Sequence, residues 1–204
     1  MNGLLAIVIA YLIGSVPFGF LLVKLTTGKD VRAGGSGNIG ATNVLRTQGR
    51  IAGVATLLLD IAKGYAAVWI AAQMTESLGS TAMVEWTAMA ALAVMAGHAF
   101  PIFLKFKGGK AVASFIGAFL YVAPLALLAV LIVFVVVVAA TRHISAGSVL
   151  AAGTFPLAVW LILHPPPFVV TAALVAGALI VYRHKTNLER LRDGTENVFR
   201  WRRS

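Results

Sequence analysis

The chain has 204 residues, 59% of them hydrophobic and 12% charged, with a mean hydropathy of +0.89; so apolar a composition excludes an ordinary water-soluble domain. Seventeen Lys and Arg against seven Asp and Glu give a net charge of +10, and these few charges gather in short segments where the chemistry is expected. The absence of cysteine excludes disulfides, thiolate metal sites, iron–sulfur clusters and cysteine nucleophiles.

Apolar runs approach the roughly 20 residues that a helix needs to cross a hydrocarbon core about 30 Å thick. They fall at 3–25, 51–72, 86–104, 111–141, 147–163 and 167–183. The first is too long for a signal-peptide core and has no basic segment before it, so it reads as a retained span. Within the second, Asp60 and Lys63 stand three residues apart, a spacing that lets the two charges pair inside the membrane. The fourth run would be about 46 Å long as one helix, beyond the hydrocarbon thickness. Pro124 divides it into 111–122 and 125–141. The shorter piece needs tilt, partial re-entry or burial against its neighbours.

Charge decides between six spans and seven. With residues 26–50 in the cytoplasm, the next loop, 73–85, lies outside and carries Glu76 and Glu85 but no Lys or Arg, as the positive-inside rule requires. The third span returns the chain inside at Lys105, Lys107 and Lys110. Two further crossings then bring Arg142 inside and leave the uncharged segment His164-Pro165-Pro166-Pro167 outside. Sixteen of the seventeen basic residues thereby reach the cytoplasmic face, Lys63 being the other. The expectation is an all-α polytopic membrane bundle over 1–204, one integral-membrane domain with seven transmembrane helices, one of them short. Its N-terminus is outside and its C-terminus cytoplasmic. No repeat of 20–50 residues suggests an inverted-repeat transporter.

Polar stretches between spans carry the candidate chemistry. Thr27 to Arg50 contains GGSGNIGATN, Gly34 to Asn43, followed by Arg46. Gly35, Gly37 and Gly40 let the backbone turn and present amides to an anion; Ser36, Asn38, Thr42 and Asn43 add short donors and Arg46 a forked cation. The alternative is a flexible connector. GxGxxG is satisfied, but a membrane span precedes it instead of a strand, so the dinucleotide fingerprint fails. The P-loop fails as well, because Ala41-Thr42 stands where Lys-Ser/Thr is needed.

The second stretch runs from His98 through Pro101 to Lys105, Lys107, Gly108, Gly109 and Lys110. Its Gly-Gly turn between lysines opens into an apolar helix at Ala111, so helix N-terminal amides and an ammonium group can converge on one anion. Lys110 is best placed for this, Lys107 divides evenly between ligand and membrane flank, and Lys105 leans to the flank. His98 is expected to pack or hydrogen-bond near Pro101. In the turn Arg142 to Ser148, Ser145 and Ser148 offer hydroxyls to an anion or act as helix N-caps.

The third stretch leaves the last span at Arg183. If the helix continues, His184 and Asn187 share a face at the membrane boundary. Glu189 is expected to pair with a neighbouring cation, and Arg190, Arg192, Arg200, Arg202 and Arg203 to meet headgroups or solvent. The His184–Glu189 pair nearly matches the H-x4-D acyltransferase motif, but the acid differs and the spacing puts the two on different helix faces.

The segments GSGNIGATN (35–43), GHAFPIFLKFKGGKAVAS (97–114) and RHKTNLERLRDGTENVF (183–199) closely resemble, in order and over essentially the whole chain, three motifs of the bacterial membrane acyl-phosphate:glycerol-3-phosphate acyltransferases. The resemblance implies acyl transfer from acyl phosphate to the 1-hydroxyl of sn-glycerol 3-phosphate, giving lysophosphatidic acid and phosphate in phospholipid biosynthesis. It implies no covalent acyl-enzyme, cofactor or metal. The substrates and membrane lipids are the implied partners, nucleic acid is not, and the location is the bacterial cytoplasmic membrane with the site facing the cytoplasm. Assembly is left open, and a monomer suffices.

By the same resemblance Ser36 and the Gly35–Gly40 amides hold the acyl phosphate. Arg46, Lys110, Ser148, His184 and Asn187 bind glycerol 3-phosphate, with Ser145 an addition, and His184, Asn187 and Ser36 stand at the reacting centre. The base is either His184 or a substrate phosphate oxygen, the latter favoured because no motif carboxylate is clear of cations. The rival function is a transporter or channel for a small organic or phosphorylated anion. A metal-dependent phosphotransferase is disfavoured because Asp30, Asp60 and Asp193 lie in three different segments.

Overall fold

The computed structural model describes residues 1–199; Arg200, Arg202 and Arg203, expected at headgroups or solvent, lie outside the described residues. The chain forms two compact units, Met1–Val122 and Ala123–Ser204. All regular structure among the described residues is helical.

In the first unit the initial span is broken. Helices α1 (Asn2–Ser15) and α2 (Phe18–Thr27) are separated at Val16-Pro17, because proline has no N–H to continue the ladder. Lys63 Nζ donates to the Val16 carbonyl at 2.7 Å, so a side chain of the second span is anchored at the break. The polar stretch that follows contains a short helix absent from the sequence expectation, α3 (Ala41–Gln48). Three further helices complete the unit: α4 (Arg50–Thr75), α5 (Ser80–Ala99) and α6 (Val112–Val122). Helix α5 begins ahead of the expected 86 and takes Glu85 into its first turns, since hydropathy marks the hydrocarbon layer and not where a helix starts.

Backbones in this unit meet through small residues. A Cβ on Gly14 would strike the Val94 carbonyl and one on Gly97 the Tyr11 carbonyl, so α1 and α5 touch main chain to main chain. Gly64 against Ser114 and Gly117 against Ile61 do the same for α4 and α6. Such close approach is how membrane helices gain packing energy when lipid and side chain are equally apolar. Of the alternatives left open for 111–122, burial is present: α6 has 11 residues, and Ala113, Ser114, Phe115, Gly117, Ala118 and Phe119 are all buried.

The second unit contains α7 (Pro124–Thr141), α8 (Ile144–Leu163), α9 (Pro167–Arg183) and α10 (Lys185–Arg192). Gly177 lies against Ala152 of α8, again backbone to backbone. Five segments are long and apolar enough to cross a membrane, Asn2–Thr27, Arg50–Leu78, Ser80–Leu104, Pro124–Thr141 and Ile144–Leu163; α9 with α10, bent by 57°, makes a sixth. With the short α6, the seven expected apolar segments are all helical. Pro124 starts α7, the division read from the sequence.

Candidate active site

The first unit brings the first two polar stretches together. Val23, Val31, Ile39, Val44 and Leu104 form one buried apolar cluster, so residues before, within and after the glycine-rich loop share a floor with the turn that precedes Lys105. Tyr11 Oη donates to the Phe100 carbonyl at 2.8 Å, tying the second stretch to α1 as well.

Asn43 organises the glycine-rich loop. It is 1% exposed; its Nδ2 donates to the carbonyls of Asn38 (2.7 Å), Val31 (3.1 Å) and Gly34 (3.2 Å), and its Oδ1 accepts the Ser36 N–H at 2.7 Å. The side chain read from sequence as a substrate donor is thus directed into the loop itself. Gly35 and Gly37 have φ of +61° and +69°, the left-handed region where glycine is favoured, and a Cβ on Gly35 would collide with Asn43 Oδ1. Not every loop amide faces outward. Those of Ser36, Gly37 and Gly40 go to Asn43 Oδ1, the Gly34 carbonyl and Asn38 Oδ1. Among the described residues, the amides of Gly35, Asn38 and Ile39 have no hydrogen-bond acceptor. Ser36 is exposed, while Thr42 and Arg46 are half-buried on α3. At the loop's entry Asp30 accepts the Arg32 guanidinium at 2.7 Å, and hydrogen bonds from the Arg32 side chain and backbone hold its carboxyl below the ordinary value.

In the second stretch Lys105 and Lys107 are exposed and Lys110 is half-buried. Ala111 has φ +60° and is fully buried, a left-handed alanine between Lys110 and the first residue of α6. Backbone of this kind is sparsely populated and persists only where its surroundings hold it. The amide of Gly109 donates to the His98 carbonyl at 3.0 Å, so it is directed at the end of α5. The expected pairing of Asp60 with Lys63 is present at 2.8 Å. His98 lies against this pair, with Nδ1 3.7 Å from Asp60 Oδ1 and 3.0 Å from Ser114 Oγ.

The second unit gathers the Arg142–Ser148 turn and the third stretch. The main chain turns back after α10: Thr195 N donates to the Arg190 carbonyl at 2.8 Å and Phe199 N to the Arg142 carbonyl at 2.7 Å. This buries Glu196, whose Oε1 accepts Ser145 Oγ (3.1 Å) and Asn187 Nδ2 (2.8 Å) and whose Oε2 accepts Arg190 Nε (2.8 Å). Burial pushes the Glu196 carboxyl up, but the hydrogen bonds from Arg190, Asn187 and Ser145 outweigh it and hold it below the ordinary value. Arg190, expected at headgroups or solvent, is instead paired with Glu196. The sequence singled out no role for Glu196; its only signal was an acid in a basic tail.

Neither serine caps α8, which starts at Ile144 after His143; Ser148 Oγ donates to the Ile144 carbonyl at 2.9 Å. The helix does not continue straight through the third stretch, because α9 ends at Arg183 and the axis bends at His184. His184 and Asn187 are both buried, at 2% and 4% exposed, and the Asn187 N–H donates to the His184 carbonyl at 2.9 Å. Nδ1 of His184 lies 2.7 Å from the Ile180 carbonyl. A carbonyl only accepts, so Nδ1 carries a proton.

An apolar helical chain whose polar loops cap its spans is an integral membrane protein. A family model described as glycerol-3-phosphate acyltransferase matches residues 4–194. The chain is 46% identical over 200 residues to a glycerol-3-phosphate acyltransferase of Geobacter sulfurreducens, covering 98% of this chain and 99% of that one. It is 40% identical to one of Clostridioides difficile, covering 93% and 91%. It also superposes on crystal structures of PlsY (YgiH), an integral membrane glycerol 3-phosphate acyltransferase. For the glycerol 3-phosphate form the TM-score is 0.89 at 37% identity, covering 98% of this chain and 96% of that one. The lysophosphatidic acid form gives 0.86 at 35%, with the same coverage. The chain belongs to the glycerol-3-phosphate acyltransferase family.

Proposed function

We propose that the chain transfers an acyl group from acyl phosphate to the 1-hydroxyl of sn-glycerol 3-phosphate, releasing lysophosphatidic acid and phosphate, at the cytoplasmic face of the bacterial inner membrane. The observation that carries this is the family match over 4–194, which includes the first two polar stretches and the third as far as Gly194. Ser36 and those amides of the Gly35–Gly40 loop that the loop itself does not use take the acyl phosphate. Arg46, Lys110, Ser148, His184 and Asn187 take glycerol 3-phosphate, with Ser145 held through Glu196.

Acyl phosphate is a mixed anhydride with a good leaving group, so the acceptor hydroxyl attacks the carbonyl carbon directly and no acyl-enzyme is needed. The C–O bond to phosphate breaks as the ester forms, and the hydroxyl proton passes to a phosphate oxygen of the substrate. Lysine and arginine charges and loop amides stabilise the anionic oxygens, and positioning of the two reactants contributes the rest. His184 binds the glycerol moiety.

Purified protein given palmitoyl phosphate, palmitoyl-CoA or palmitoyl-acyl carrier protein with glycerol 3-phosphate is expected to use the phosphate donor alone. Product from either thioester with none from the phosphate would overturn the donor assignment. His184→Ala is expected to raise the KM for glycerol 3-phosphate with little change in kcat; collapse of kcat at saturating acceptor makes His184 the base.

A further inference from the structure

We infer that His98 is the positioning residue of the second polar stretch, fixing the loop that carries Lys110 against the end of α5. The inference rests on the reading above that Lys110 binds the phosphate of glycerol 3-phosphate. His98 is 4% exposed, and it faces the loop with both its backbone and its ring.

Its carbonyl accepts the Gly109 N–H. A Cβ on Gly108 would strike that carbonyl and the Pro101 ring, and a Cβ on Gly109 would strike His98 Nε2. Two consecutive glycines are therefore required by close approach to one histidine. The Gly-Gly pair, read from sequence as amides for an anion, is seated on His98. The opposite edge of the ring is held by Ser114 Oγ on α6 and lies beside Asp60 on α4. Asp60 is in turn paired with Lys63, which donates to the Val16 carbonyl at the break of the first span.

Lys110 thus stands between two segments registered on the same ring, Gly109 before it and Ser114 after it. The left-handed Ala111 is the residue that such a double constraint keeps in place. Displacing the ring moves the ammonium group without removing it.

Steady-state kinetics in detergent with palmitoyl phosphate and glycerol 3-phosphate test this, with Lys110→Ala as reference. His98→Leu is expected to raise the acceptor KM by about tenfold, the scale of effect a small misplacement produces, with the donor KM unchanged. His98→Asn keeps a polar atom that can reach Ser114, and it is expected to recover most of the loss. Gly109→Ala, which pushes the loop off the ring while His98 stays native, is expected to reproduce the leucine signature.

A merely structural histidine would instead show both KM values and the melting temperature worsening together in His98→Leu and His98→Asn alike, and that result overturns the inference. A wild-type acceptor KM in His98→Leu beside a raised one in Lys110→Ala overturns it too, leaving the Lys110 reading intact. An unchanged KM in Lys110→Ala removes that reading, and the inference with it. If the leucine variant does not fold, Gly109→Ala decides: a raised acceptor KM alone supports the role, and a wild-type one overturns it.

Discussion

Two side chains show how a residue's role turns on what it touches. Asn43 and Glu196 are buried polar groups whose donors and acceptors are met inside the protein, as burial demands. Both sit among residues read as substrate ligands: Asn43 holds the loop backbone, and Glu196 holds the side chains of Ser145, Asn187 and Arg190. Glu196→Ala is expected to leave Asn187 and Ser145 without their acceptor and to cost about 1–3 kcal/mol, measured as a lowered melting temperature in detergent. The carboxyl also sets a pH dependence. Its value is depressed from the ordinary 4.5, so its stabilisation is complete above that pH and is lost as pH falls through the depressed value. Limited proteolysis of the 193–199 segment is expected to accelerate in that acidic window in wild type. In Glu196→Ala the acceleration should be absent, and the same rate at all pH values in both proteins would contradict this.

At the scale of elements, the helices were legible because hydrophobic length reports a span directly. Pro124 marked the start of α7 and Pro17 marked a break that span counting passed over. The sequence offers no comparable signal for α3 or for the bend at His184, which depend on what each segment packs against. Small residues at α4–α6 decide how close those helices come. Gly117→Ala would place a methyl group in the Ile61 carbonyl and is expected to cost about 1–3 kcal/mol by overpacking. Gly153, which has open space around its Cα, is the control: Gly153→Ala is expected to leave the melting temperature unchanged or raise it.

For the molecule as a whole, the charge distribution predicts orientation. Basic loops remain on the cytoplasmic side during insertion, so a fluorescent protein fused at the C-terminus is expected to fluoresce in cells. Fusion after Leu78, in the loop bearing Glu76, is expected to give none. The opposite pattern in stably inserted protein would reverse the topology and place the polar stretches on the wrong side for a cytoplasmic acceptor.

Composition and the length of the apolar runs alone determined that this chain is a helical membrane protein, because a long apolar run in water or lipid has few alternatives to a buried or spanning helix. Motif order indicated the family, and the Asp60–Lys63 spacing foretold their ion pair. What only the tertiary structure decided was the use of each polar atom: Asn43 turned inward, Gly108 and Gly109 laid on His98, Glu196 returned to Ser145 across 51 residues of chain. Those partners are brought near by packing of distant segments, and neither spacing nor residue type records a neighbour that the chain meets only after it has folded back on itself.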